Sequence, residues 1–436
     1  MRTKHSFVAH LAHIIAGLGI LALLLGSHSN ATAQTGDNEV YNSSGTCCST
    51  SAAFVDATAY CSSAGACTTS DDLCVAVNAA LNALPTAGGV VDARGINSGG
   101  SNKCGTASSP TTPYTGTYTI AHPSTVLLPS GTIKIFTTWI LPDRTKVIGE
   151  GNNPQGGTQI LAGSGFSTGT AMIQMGSASS SLCNDGTSGQ CYGVSVEDLM
   201  LNGENQNIDG IVNSHSGAGS YVDHVNLHEI LGIGLTVTGS ATQDSGPYAN
   251  LAVSPADSCA AASSCVQLGD STGAPSSTRG IHGMTCTCNT SLGAAGITLD
   301  SSNTTLEDIH FEGFVDGVLV GSKAASQSNV LLDINGGAGD DSMTNVIHVC
   351  GSHPATCSTA FGVTDLSIIG ALAAVSSSTY HVTTLIQDDI TNTTVPGVPS
   401  GSGGEATDAA YVLGQSLAGG YSRIATSPVA DRKSVV

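Results

Sequence analysis

The run Thr305–Gly313 reads Thr-Leu-Glu-Asp-Ile-His-Phe-Glu-Gly and gathers Glu307, Asp308, His310 and Glu312 in one short stretch. Two carboxylates at a suitable separation can serve a glycosidic bond as acid and base or as nucleophile. A histidine beside them can carry a proton near neutral pH. The same phrase returns, however, at Val196–Gly203, at Val222–Leu227 and at Val363–Ile368. A residue that comes back with every repeat is better explained by the needs of a turn's backbone than by a step of chemistry performed once. Asp198, Asp308 and Asp365 are read as structural on this ground, and Glu197, Asp223 and Glu307 fall in the neighbouring column.

The elements behind these residues follow from the repeat itself. Leu199, Val225, Ile309 and Leu366 are separated by near-integer multiples of roughly 28 residues, which read as one, about three and about two periods. Within each phrase apolar positions alternate with polar ones, so short strands bury a single face. A coil of three short strands and three bends cannot bury that face alone, and coils must stack. Before the phrases, apolar segments at Val126–Leu128, Ile133–Phe136, Lys146–Ile148, Gln159–Leu161 and Met172–Met175 alternate with turn clusters. The expected fold is all-β: a single-stranded right-handed parallel β-helix with an N-terminal capping helix and a C-terminal cap. Leu73, Val77, Ala80, Leu81 and Leu84 share one face of a helix over 72–84, capped by Ser70 or Asp71 and stopped by Pro85. Tyr411–Leu413 and Ser422–Ile424 pair as the terminal cap after a flexible link, in 396–436.

The chain opens with Arg2 and Lys4, an apolar run to about Leu25 and Ala31-Thr32-Ala33, the pattern of a signal peptide over 1–33. An irregular Cys/Ser/Thr-rich leader over 34–69 and the β-helix over 70–395 follow. No later apolar run approaches the roughly 20 residues that span a bilayer, so the expected product is secreted or periplasmic, without membrane insertion. All 14 cysteines lie after the signal, which in an oxidising destination reads as disulfides. Cys183 with Cys191 and Cys350 with Cys357 suit local loops, and Cys74 and Cys104 flank the first helix–strand unit. Clusters at Cys47, Cys48, Cys61 and Cys67 and at Cys259, Cys265, Cys286 and Cys288 leave their pairing open. The net charge of −20 excludes non-specific nucleic-acid binding and disfavours a polyanionic ligand unless calcium bridges the two.

The helix Asp72–Leu84, Pro85, Gly88-Gly89-Val90 and coils of the form Val-x-Asp-Leu-x-Leu followed by Gly-Ile-x resemble the pectin lyase-like superfamily. That resemblance implies a right-handed parallel β-helix, often a secreted polysaccharide lyase, hydrolase or epimerase. It also implies an Asn or Asp ladder before the third strand of each coil, matched by Asp198, His224, Asp308 and Asp365. The catalytic groove of that family often lies outside the strand after the glycine. In Gly-apolar-x-apolar the x side chain points outward, which here gives Val212, Thr236, Thr298 and Leu319, none of them an acid or base. The paired aspartates and Gly-His-Gly of the family's hydrolases are missing, and the marked repeats offer only Arg279 and Lys323 as a basic residue for a lyase.

The catalytic candidates are therefore His282 with Arg279 or Asp316. Gly336–Thr344 matches one calcium nonapeptide, with Asp340 and Asp341 as candidate ligands, but no second copy follows. His224, His228 and Glu229 lack the helical context a metal motif needs, so no metal or other cofactor is expected beyond calcium. Aromatics are only 4 % of the chain, few for a glycan platform. Two function classes follow: a protein that binds or processes extracellular polysaccharide, preferably uncharged, as polysaccharide lyase or glycoside hydrolase if an enzyme; or a non-catalytic surface, adhesion or self-associating module.

Overall fold

The computed structural model describes residues 53–63, 67–114, 123–179, 182–183, 189–254, 264–269, 278–288, 293–301, 303–312 and 314–320, and beyond them only the backbone of strands within 327–424. The stretch 1–33 expected to be a signal peptide, Cys350, Cys357 and Asp341 lie outside the described residues. Strands from successive coils pair in parallel on three faces, the arrangement of a parallel β-helix.

The first face begins with Ala53–Asp56, Gly89–Asp92, Ser124–Leu127 and Thr145–Ile148, the second with Gly100–Thr106, Gly131–Ile135 and Thr158–Ala162. The two faces then merge in bent strands, Ser195–Gln206, Tyr221–Ile230, Tyr248–Ser254, Ile281–Thr287 and Thr304–Glu312. The third face runs Trp139–Leu141, Ala171–Met175, Asp209–Asn213, Ile233–Val237, Ser264–Leu268, Gly293–Leu299, Phe314–Val320, Asn345–Val349 and Leu385–Ile386.

Alternation along each strand decides what is buried. Val126, Val147, Val196 and Val222 form one inward column, and Ile133, Ile160, Leu201, Leu227, Val253, Cys286 and Phe311 a second. Ile173, Ile211, Leu235, Val266, Ile297 and Val318 form the third. All are at most 2 % exposed and belong to one core. Each such side chain contributes roughly 1.5–3 kcal/mol of burial that an isolated coil could not supply.

The bends explain part of the recurring phrase. Asp198, His224, Asn250, Gly283 and Asp308 stand in one column by register, with φ between 53° and 70°. That left-handed conformation suits Gly, Asn, Asp and, less often, His. Asp365 does not join them. Thr304 aligns with Val330 and Val330 with Leu366, so Asp365 shares the column of Asn303 at the start of a first-face strand. The phrase at 363–368 therefore resembles its predecessors while sitting in a different register.

Two N-terminal expectations also need correction. The helix, Leu73–Asn82, is capped by Asp72, whose carboxylate accepts from Val75 N–H at 3.2 Å, from Gly105 N–H at 2.7 Å and from the Thr111 hydroxyl. Asp71 instead accepts from the Ser62 and Thr68 amides, and hydrogen bonds from the Ser62 hydroxyl and from these amides hold its carboxyl well below the ordinary range. Within the stretch expected to be irregular, Ala53–Asp56 is a strand paired with Gly89–Asp92. Near the other end, Val412–Leu417 and Gly420–Ile424 form an antiparallel hairpin.

Cys74 is bonded to Cys104, Cys183 to Cys191, Cys61 to Cys67 and Cys265 to Cys286. Among the described residues no helix is long and apolar enough to cross a membrane.

Candidate functional site

A column of ionisable side chains runs along the outside of the first face. Because Val196, Val222, Ile281 and Leu306 point inward, their successors Glu197, Asp223, His282 and Glu307 must point outward, and register places these four in one column with Ala249. Asp333 follows in the same register. A parallel outward column holds Lys146, Ser195 and Tyr221.

Ser195 makes the next contact possible. It stands between Lys146 and Tyr221 in the column, and its short side chain leaves room for the two long ones to meet over it. Lys146 Nζ donates to the Tyr221 hydroxyl at 3.4 Å and lies 5.6 Å from the centre of the ring. The Tyr221 hydroxyl donates to Glu197 Oε1 at 2.8 Å, and the Ser195 hydroxyl donates to the same oxygen at 2.6 Å. A phenol thus sits between a cation and a carboxylate, all three half-buried on an outer surface. Such a chain can hydrogen-bond a ligand hydroxyl and relay a proton through the phenol.

The neighbouring coil adds Asp223. Its Oδ1 lies 3.0 Å from His224 Nδ1 and accepts from Asn250 Nδ2 at 2.8 Å. Strands on one sheet stand about 4.8 Å apart, so Glu197 and Asp223 project from adjacent strands at a backbone spacing near that required of paired carboxylates.

His282 lies on this strip, with Nδ1 3.7 Å from Glu307 Oε2, too long for a hydrogen bond. Arg279 is exposed just before that strand, and its backbone N–H donates to Ser245 O. Asp316 is not part of the site. It belongs to Phe314–Val320 on the third face, on the same side as Phe314 and Val318, and is 2 % exposed. His282 and Asp316 are therefore not brought together, because alternation turns Asp316 toward the interior while His282 faces outward on another face. Asp340 ends the strand Ala338–Asp340.

The outward positions expected to line a groove do form one column. Gln174, Val212, Thr236, Gln267, Thr298 and Leu319 are consecutive partners across the third face. Gln174 and Gln267 were not legible as members, since neither follows a Gly-apolar pair. Each bonds the carbonyl two residues on, at 3.0 and 2.9 Å. None of these six is an acid or base, and His348 continues the column in register.

His224 and His228 separate in the structure. His224 is at the bend, whereas His228 is on the second face, with Nδ1 2.9 Å from the Ser254 hydroxyl. Among the described residues, Asp72, Cys74 and Cys104 converge as metal ligands would, but both cysteines are spent in a disulfide.

No family model matches the sequence, and no curated protein does. Solved structures with a similar backbone include ORF18 of Geobacillus virus E2, at 14 % identity and a TM-score of 0.36, covering 90 % of this chain. The chain spans 64 % of the length of ORF18. The A-module of mannuronan C-5 epimerase AlgE6 from Azotobacter vinelandii is similar over 79 % of this chain and 100 % of its own, at 14 % identity and a TM-score of 0.40. The AlgE4 A-module of the same organism is similar over 64 % of this chain and 91 % of its own, at 14 % identity and a TM-score of 0.30. At these values the likenesses assign no activity.

Proposed function

We propose that this chain is a secreted or periplasmic right-handed parallel β-helix of the pectin lyase-like superfamily that binds or processes an extracellular polysaccharide on the outside of its first face. The observation that carries this is Tyr221 held between Lys146 and Glu197, on the same strip as Asp223, His282 and Glu307. A ligand laid across parallel strands meets a new outward side chain at each coil, which suits a polymer with a repeating unit. The acidic column repels a polyanion, so an uncharged glycan is preferred over a uronate polymer. The sequence resemblance and the disulfides support the superfamily and an oxidising destination.

The test is incubation of the purified chain with neutral and uronate glycans, following binding, reducing ends and unsaturated-uronate absorbance. Binding or turnover lost in Tyr221→Phe and Glu197→Gln supports the proposal. Equal behaviour of both variants and the parent sinks it. A non-catalytic, self-associating surface is the second reading, favoured by the uncharged outward column of the third face. Concentration-dependent assembly without glycan binding would establish it instead.

A further inference from the structure

A second site is formed near the N-terminal end of the second face, away from the strip. Ser101 pairs with Thr132, and alternation from the buried Ile133 turns both side chains outward, so the floor of the outer surface there carries short hydroxyl side chains. The turn carrying Pro154, Gln155 and Gly156 forms one wall, and Gly99, Ser101, Ser130 and Thr132 complete a cleft of about 460 Å³. That volume falls in the range of small-molecule sites, about 300–1,000 Å³.

The wall is held before any ligand arrives. Gly157 N–H donates to Asn153 O at 2.8 Å, Thr158 N–H to Gly151 O at 2.9 Å and Gln155 N–H to Asn153 Oδ1 at 2.9 Å. Gly131 N–H donates to Gly157 O at 2.9 Å, and Ser130 N–H to Glu150 Oε2 at 3.0 Å, which ties the wall to the floor. Preorganisation of this kind lowers the ordering cost of binding.

No residue lining the cleft carries a charge or an aromatic ring. What it offers is hydroxyls, an amide and bare backbone. The Ser101 hydroxyl and the Gln155 amide have no hydrogen-bond partner among the described residues. Such a surface gives little to an ion or an apolar ligand. A molecule that donates and accepts hydrogen bonds at many points, without charge, fits it. We propose that this cleft binds one or two residues of an uncharged glycan, independently of the strip on the first face.

Gly156 supplies the test. A Cβ added there meets nothing within 4 Å, and its φ lies outside the left-handed region, so a large side chain can enter the cleft without straining the turn. The full chain would be titrated calorimetrically with β-1,4-linked glucan, mannan and xylan hexasaccharides, with hexagalacturonate as the anionic control. At least one neutral hexasaccharide should bind, and Gly156→Trp should weaken it about tenfold or more while Gly156→Ala does not. If Gly156→Trp lowers the unfolding temperature, the doubly exposed pair Ser101→Ala and Gln155→Ala must give the same loss. Binding unchanged in both variants, equal binding of hexagalacturonate at the cleft, or no binding of any neutral hexasaccharide overturns the proposal. Loss in Tyr221→Phe and Glu197→Gln with none in Gly156→Trp overturns the cleft alone and leaves the strip standing. The reverse pattern overturns the strip alone.

Discussion

The outward columns of the first and third faces are built by the same coils and the same alternation, yet one carries Lys146, Glu197, Tyr221, Asp223, His282 and Glu307 while the other runs through Gln174, Val212, Thr236, Gln267, Thr298 and Leu319 before it reaches His348. The inward columns are nearly interchangeable on all three faces: Val222 on the first, Leu227 on the second and Leu235 on the third are all fully buried aliphatics. Stacking therefore constrains what points in and leaves what points out free to differ. The proposed function uses the face where that freedom is taken up by ionisable groups.

If the inward columns are equivalent, Leu227→Ala and Leu235→Ala should each cost about 2–5 kcal/mol in urea unfolding. A loss confined to one would break the equivalence. The outward columns should then behave differently from each other. Tyr221→Phe removes the bridging hydroxyl while keeping the ring, and should lower glycan binding about tenfold, or turnover by about a hundredfold if the strip is catalytic. His282→Ala should do less, since its ring makes no hydrogen bond to Glu307. Gln267→Ala on the third face should leave both quantities alone and change stability by no more than about 0.5 kcal/mol.

The bend between the first and second faces makes a separate claim. Asn250 has a φ of 53°, so Asn250→Val should destabilise by about 1–3 kcal/mol, whereas Asn250→Gly should be tolerated. Thermal unfolding of the two variants side by side reads this directly.

A smaller, pH-dependent effect is expected at Asp209 on the third face. Burial pushes its carboxyl above the ordinary value, although Ile233 N–H donates to Oδ1 at 2.8 Å and draws it partly back. The folded protein then binds that proton more tightly than the unfolded chain does. The resulting stabilisation is complete below the unfolded carboxyl value of about 3.9 and is lost as pH rises through the raised folded value. Asp209→Asn keeps an acceptor for Ile233 and removes the buried charge. It should raise the unfolding temperature near pH 7, with the difference gone by about pH 3.

The stack was legible because an apolar column must recur with the coil, and the phrases at 196–203, 222–227 and 305–313 do fall into one register. Legibility failed where the coil length changes. Val147 and Val196 are register neighbours despite the long excursion between them, and the phrase at 363–368 is displaced from the bend. The same weakness hid the site. Lys146 precedes the marked repeats, so counting cations among the repeats passed over it, and only the register shows that it reaches Tyr221 across Ser195. Glu197 and Asp223 looked like companions of a turn ladder. They point outward one residue before the bend, which puts both on the surface, and Asp223 also holds the bend residues His224 and Asn250.

The central claim is tested most directly by measuring affinity for a neutral hexasaccharide in two paired variants of the full chain, each, like the parent, also carrying Gly156→Trp so that the second-face cleft does not contribute. One is Glu197→Gln with Tyr221→Phe on the first face, the other Thr236→Ala with Gln267→Ala on the third. The first pair should weaken binding at least tenfold with an unfolding temperature close to that of the parent, and the second should bind as the parent does. Parental affinity in the first pair, or its loss in the second, would contradict the assignment of the site to the first face.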